Sequence, residues 1–312
     1  MTADAQLDGL VDEITRRVQA RLAQGGLPAV DAARAAAKAC AHRGKGECAS
    51  CGGCATHKSD AVRALVGLGA TRIGQAPGHD APALDLAPLI DHTMLKADAS
   101  RDDLKKLCDE AKRHGFATVC VNPANVRFCA AQLEGAATKA IAVVGFPLGA
   151  STPNAKGYEA REAVRQGAAE IDMVLNVGAL KSRDYALVLE DMIAVVNASA
   201  PKPVKVILET GLLDHDQKVV ACALAKIAGA AYVKTSTGFG PGGATVEDIA
   251  LMREVVGPEM GVKASGGVRT TEDARRMVEA GATRIGASAS VAIVTGGGGD
   301  GGKKKLKLVG GY

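Results

Sequence analysis

The sequence predicts a (β/α)8 barrel with a mainly helical, cysteine-rich N-terminal extension, and three observations carry that expectation. From about residue 85, eight short β-rich runs alternate with helical runs over some 210 residues, the rhythm of a parallel sheet wrapped in helices. The first of those runs ends in Asp91-His92-Thr93, where an open dinucleotide-binding sheet would carry a glycine-rich turn. Polar residues also recur at the C-terminal ends of the runs, and a barrel gathers those ends at one mouth.

The chain opens on an amphipathic helix. Leu7, Leu10, Val11, Ile14, Val18 and Leu22 fall at helical spacing, with Asp8, Asp12, Glu13, Arg16, Arg17 and Arg21 mostly on the other side. Such a stripe can pack on its own domain or dock in a partner's groove. Gly25-Gly26 ends it, and Pro28 can open an alanine-rich helix running to about Cys40. Cys48, Cys51 and Cys54 follow in a glycine-bearing turn, with Cys40 and His42 upstream and His57 downstream. Three thiols at that spacing can converge on one metal, with Cys40 or a histidine as fourth ligand; zinc and an iron-sulfur cluster both fit. Residues 69–74 repeat residues 281–286, and 75–82 reads as a linker. The expected division is therefore an extension over 1–82, a barrel over 83–296 and a Gly/Lys-rich tail over 297–312.

Strands are expected near 87–92, 116–121, 139–145, 170–175, 203–209, 231–235, 260–264 and 283–287. Helices are expected near 100–114, 123–134, 153–167, 181–198, 214–228, 244–256 and 271–280. The net charge of +4 is modest and aromatic residues are scarce, a composition that does not suggest a nucleic-acid partner. No stretch approaches the ~20 apolar residues of a membrane span, and no signal peptide is legible, so a cytoplasmic location is expected.

At the mouth the sequence places Asp91 and Thr93, Cys120 and Asn122, Asp172 and Asn176, Glu209 and Thr210, and finally Lys234 and Lys263. Lys234 ends an apolar run, and Lys263 occupies the matching point of the next one. Burial disfavours an ammonium, and two of them at neighbouring strand ends repel, so one is favoured as a neutral amine. A neutral amine can attack a carbonyl and form a Schiff base. Asp172, inside an apolar run, needs a cationic partner that Lys263 or Lys234 can supply. Gly238, Gly266, Gly267 and Gly286 allow close backbone approach, with Ser265, Ser288 and Arg269 as added donors, in the region where barrels bind phosphate. A phosphorylated carbonyl substrate is expected, and Thr237 stands in the same loop as Gly238. Cys120, Cys108, Cys129 and Cys222 read as buried packing residues.

These residues carry a resemblance. Through Ile90-Asp91-His92-Thr93, Val119-Cys120-Val121-Asn122-Pro123, Val144-Gly145-Phe146-Pro147-Leu148-Gly149, Glu170-Ile171-Asp172-Met173-Val174-Leu175-Asn176 and the Lys234 and Lys263 runs, residues 85 to about 295 resemble deoxyribose-phosphate aldolase. The resemblance implies Lys234 as the Schiff-base lysine and Asp172 with Lys263 as the proton-relay pair. It places Gly238, Gly266, Gly267 and Ser288 at the substrate phosphate. It implies reversible cleavage of 2-deoxy-D-ribose 5-phosphate with no cofactor required, in a homodimer or higher homo-oligomer. Where the family pairs two serines near strand 8, this chain has Ser288-Ala289, and its last residue, Tyr312, matches a terminal tyrosine found in some members. The helix of residues 7–22 and its linker resemble the encapsulation peptides of bacterial microcompartment cargo, which implies a shell or cargo partner. Another Schiff-base aldolase for a phosphorylated aldehyde, or a metal-bearing scaffold with a degenerate barrel, stays open at this point.

Overall fold

The computed structural model describes residues 85–296 together with Gly9, Asp12, Glu13 and Arg16. Those four N-terminal residues are helical, and Arg16 pairs with Glu13 one turn away. The cysteine cluster, the remainder of the 7–22 stripe and the 297–312 tail lie outside the described residues.

Eight parallel strands close into a barrel in sequence order. They are β1 (Ile90–Met94), β2 (Thr118–Val121), β3 (Lys139–Val144), β4 (Ile171–Val174), β5 (Val204–Ile207), β6 (Tyr232–Lys234), β7 (Gly261–Ser265) and β8 (Arg284–Ala287). The helices between them are α1 (Arg101–His114), α2 (Val126–Gln132), α3 (Pro153–Arg165), α4 (Val177–Lys181), α5 (Tyr185–Ser199), α6 (His215–Ile227), α7 (Val246–Val256), α8 (Thr271–Glu279) and α9 (Ser290–Thr295). None of the described helices is long and apolar enough to cross a membrane.

Local chemistry explains the boundaries. Ser100, Asp214 and Thr270 each form a capping box with the residue three positions on, satisfying helix N–H groups that have no intrahelical partner. Thr152 caps α3, and Pro153 occupies its first turn, where a missing N–H does no harm. The expected first strand starts three residues late because Ala87–Leu89 forms a 3-10 turn around Pro88, which cannot donate to a ladder. The helix expected over 181–198 is α5, and a short helix not expected, α4, precedes it. Asn176 starts α4, Arg183 adopts a left-handed φ of 58°, and Asp184 caps α5 afresh.

Strand residues alternate between two environments. One set, including Ile90, Val119, Ile171, Val206, Val233, Val262 and Ile285, packs outward under the helices in the main apolar core. The other set lines the barrel interior. On the β2–β3 side it is apolar, where Cys120, Ile141 and Val143 cluster with Leu95 and Phe146. Around the rest it is charged.

A second charged pair sits outside the barrel. Lys156 of α3 bonds Asp191 of α5 at 2.5 Å and donates to the Val174 carbonyl of β4 at 2.9 Å, with both side chains buried. Burial pushes the Lys156 ammonium down and the Asp191 carboxyl up, so mutual attraction offsets desolvation only in part. Asp191→Asn is expected to destabilise the fold by about 3–5 kcal/mol in urea unfolding. The Lys156→Met/Asp191→Leu double variant is expected to lose less than the single variant does. A larger loss in the double variant would contradict this account.

Candidate active site

The charged half of the interior centres on Asp172, the second residue of β4. Its Oδ1 accepts from Lys205 Nζ at 2.7 Å, and its Oδ2 accepts from Lys263 Nζ at 2.7 Å and Lys234 Nζ at 3.0 Å. The parallel register aligns Lys234 of β6 with Lys263 of β7, which sets the two lysines side by side. Lys263 also lies 2.5 Å from Asp91 Oδ2, and Arg284 donates to Asp91 Oδ1 at 2.8 Å. Below, Arg284 meets Glu170 at 3.3 Å through both guanidinium nitrogens, and Glu170 pairs with Lys205.

Every group except Arg284 and Glu170 is essentially inaccessible, so desolvation opposes each charge and neighbours decide the outcome. Burial alone would raise the Asp172 carboxyl, yet Lys205, Lys263 and Lys234 hold it well below the usual range. Burial would lower Lys263, but Asp172 and Asp91 keep its ammonium above the ordinary lysine value. For Lys234 the balance goes the other way. Burial and the charge of Lys263 push its ammonium down, and Asp172 compensates only partly. Burial pushes the Cys120 thiol up to about 11, which makes it an apolar wall at neutral pH.

Lys234, Lys263 and Asp172 converge, and Asp91 joins them as an ion-pair partner. Asp91, expected among the substrate-binding residues, has both of its oxygens facing cations inside the barrel. Thr93 donates to the Asp91 carbonyl and, with Ser288, borders a cavity of about 300 Å³ between β1, α1 and α9 that none of Lys205, Lys234 and Lys263 lines. Thr237 is committed to its own loop and to the one after β5. Its hydroxyl donates to Glu209 and accepts from the N–H groups of Phe239 and Gly240 at 3.0 and 3.3 Å.

Gly238, Gly266 and Gly267 have left-handed φ angles of 84°, 85° and 82°, and open space lies where Gly238 and Gly267 would carry a Cβ. Ala244 N–H donates to the Gly266 carbonyl at 2.9 Å, so the loops after β6 and β7 meet there. Beside them the hydroxyls of Ser236 and Ser265 are buried without a partner. Gly286, expected at the substrate, lies on β8 against Lys263 and Ser265. A Cβ there would lie 2.9 Å from Lys263 Cε and 2.3 Å from Ser265 Oγ, so the missing side chain makes room for the lysine. Arg269 sits on an exposed turn where its N–H donates to Asp273, away from the cluster. Cys40, Cys48, Cys51 and Cys54 lie outside the described residues; among the described residues no group of three metal-ligating side chains converges.

Three participants escaped the sequence reading, and the role of a fourth was not legible. Lys205 gave the same signal as Lys234, a lysine inside an apolar run at an alternate position. Glu170 and Arg284 stand at strand starts, where charge ordinarily means solvent. Glu209 was placed at the mouth, but nothing in the sequence revealed its left-handed φ of 56°. Its carboxylate accepts from Thr237 N–H at 3.2 Å and packs against Gly240, so a strained residue pins the loop after β6.

A closed parallel barrel that buries an amine of lowered basicity beside a charged lysine and a carboxylate has the architecture of a barrel aldolase. Residues 86–298 match the family model described as DeoC/LacD family aldolase. The chain belongs to that family. The deoxyribose-phosphate aldolase of Streptococcus sanguinis (strain SK36) is 57% identical over 213 residues, 68% of this chain and 97% of the relative. That of Clostridium perfringens (strain 13 / Type A) is 57% identical over 212 residues, 68% and 95% of the two chains. The tetrameric deoxyribose phosphate aldolase structure from Aeropyrum pernix aligns with a TM-score of 0.64 at 33% identity, covering 67% of this chain and 89% of that one.

Proposed function

We propose that the chain reversibly cleaves 2-deoxy-D-ribose 5-phosphate into acetaldehyde and D-glyceraldehyde 3-phosphate through a Schiff base on Lys234. The observation that carries this reading is the asymmetry between the two adjacent lysines, one held charged and the other pushed toward the free amine. Neutral Lys234 attacks the open-chain aldehyde and water leaves, giving a protonated imine that serves as electron sink. Asp172, with Lys263, receives the C3 hydroxyl proton as the C2–C3 bond breaks and later returns a proton to the enamine carbon. Hydrolysis of the imine takes up one water, matching the one lost in the first step, and frees acetaldehyde and the Lys234 amine. No cofactor takes part in these steps.

The open backbone at Gly238 and Gly267, with Gly266 and the unpartnered Ser236 and Ser265 hydroxyls, favours the phosphate end of the substrate on the loops after β6 and β7. Ser288 and Thr93 are assigned to its outer margin, Cys120 to the apolar wall, and Arg269 to attraction of the anion from outside. Relatives named as deoxyribose-phosphate aldolases support the choice of substrate.

The division at residues 82 and 296 is retained, in keeping with the family match over 86–298. A cytoplasmic homo-oligomer is proposed, with the tetramer of the Aeropyrum pernix enzyme as precedent. The apolar stripe of residues 7–22 supports docking to a microcompartment shell or cargo protein, where released acetaldehyde would be confined. The Cys40, Cys48, Cys51 and Cys54 set is assigned to zinc or an iron-sulfur cluster on its spacing.

Borohydride reduction in the presence of 2-deoxy-D-ribose 5-phosphate is expected to leave a stable adduct that peptide mass mapping places on Lys234. A folded protein that gives no adduct, or one on another lysine, would falsify the assignment.

A further inference from the structure

The interior charges form a closed circuit. From Lys263 the contacts run to Asp91 at 2.5 Å, Asp91 to Arg284 at 2.8 Å and Arg284 to Glu170 at 3.3 Å. They return from Glu170 to Lys205, from Lys205 to Asp172 at 2.7 Å, and from Asp172 to Lys263 at 2.7 Å. Cations and anions alternate at every step, three of each. Lys234 is the seventh group and touches the circuit only through Asp172, at 3.0 Å. With Lys234 uncharged the interior is neutral; with Lys234 protonated it carries one unbalanced positive charge.

We propose that Arg284 and Glu170, at the end of the barrel opposite the mouth, are positioning residues that complete a charge-balanced ring and so leave Lys234 without a counter-ion of its own. The inference rests on reading Lys234 as the amine nucleophile and adds how its protonation is set. Neither residue reaches the substrate end of the site. Arg284 is the first residue of β8, Glu170 immediately precedes β4, and both keep partial exposure, 13% and 15% of the side chain. Tyr232 of β6 closes that end, with its ring 5.4 Å from the Arg284 guanidinium and 5.8 Å from the Lys205 ammonium.

The groups that face Lys234 account for all the packed strands that bear titratable side chains. Asp172 on β4, Lys263 on β7 and Cys120 on β2 act on it directly. Lys205 on β5, Asp91 on β1 and Arg284 on β8 act through the ring. From β3 the interior receives Ile141 and Val143, which are apolar. The thiol of Cys120 is neutral near pH 7, since burial pushes it up to about 11. Net charge within reach of Lys234 therefore follows the ring, and one charge removed anywhere on it must be felt at the amine with a predictable sign.

The test reads the protonation of Lys234 without relying on aldol chemistry. Acetic anhydride labels free amines, and its rate at Lys234, mapped by peptide mass against pH, gives the midpoint in the full-length protein. Glu170→Gln removes an anion, so the midpoint is expected to move down by about one pH unit. Arg284→Met removes a cation, and the midpoint is expected to move up by a similar amount. The double variant should return to within about half a unit of wild type. Arg284→Lys, which keeps the charge, should leave the midpoint in place and so separates charge from shape.

Shifts in the same direction for the two single variants, or none in either, overturn the ring. If Arg284→Met does not fold, the sign of the Glu170→Gln shift decides alone. Absence of a substrate imine in wild type would overturn the aldolase reading instead, and the labelling curves would still judge the ring.

Discussion

Replacing Lys234 by alanine is expected to lower turnover of 2-deoxy-D-ribose 5-phosphate on the order of 10⁵-fold or more, since nothing else in the barrel offers a free amine at the mouth. The adjacent Lys263 does not rescue the reaction, because Asp172 and Asp91 hold it charged. Removal of Lys234 breaks only its one contact with Asp172. The six other charged groups keep their partners, so the variant should fold and unfold in urea close to wild type. The informative pair of measurements is steady-state turnover and borohydride trapping on the same folded sample. Turnover within about tenfold of wild type, or an adduct that survives, would remove Lys234 from the mechanism.

Asp172→Asn is the second large effect, and it separates two roles. Imine formation needs only the free amine, and loss of the carboxylate lowers the basicity of Lys234 further, so trapping at Lys234 should persist. Proton transfer during C2–C3 cleavage loses its acceptor, and turnover should fall by about 10³-fold. Stability falls too, because Lys205 and Lys263 keep buried charge with one fewer partner, a loss of about 3–5 kcal/mol near neutral pH.

The pH dependence has a definite sign. Asp172 is held well below its usual value, so its contribution is complete above the unfolded aspartate pKa of about 4 and fades as pH falls toward the folded value. The difference between wild type and variant in urea unfolding should therefore be full at neutral pH and narrow below about pH 4. A gap that stays constant across that range would show that Asp172 acts through shape rather than charge.

Much of this was legible in the sequence, for reasons that differ by residue. The barrel could be read because each strand needs apolar residues on its outer face and each helix needs a cap, and both leave a local pattern. Lys234 and Lys263 stood out because a lysine inside an apolar run is expensive. Lys205 offered the same pattern but lacked a glycine-rich loop after its strand, and so drew no attention. Glu170 and Arg284 were illegible for a physical reason. Their partners lie 114 residues apart in sequence and meet only when β4 and β8 face each other through the closed barrel. Gly286 is legible as a place of close approach because it lacks a side chain, but that Lys263 and Ser265 occupy the space beside it depends on the folded barrel. Thr237 was assigned to substrate from its place in the loop; its commitment to Glu209 depends on a backbone conformation no side-chain pattern encodes.

The single tether of Lys234 also bears on how much the protein must rearrange during a turnover. Every other member of the charged interior has at least two ionic neighbours, while Lys234 hangs from one oxygen of Asp172. Converting its nitrogen from amine to imine and back therefore leaves the surrounding connections unchanged. The dipoles and charges that meet the developing negative charge are already in place, so little reorganisation energy attaches to either the covalent step or its reversal. If Lys234 carries the imine, the six ring groups are expected to keep their ion pairs between the free and substrate-bound forms.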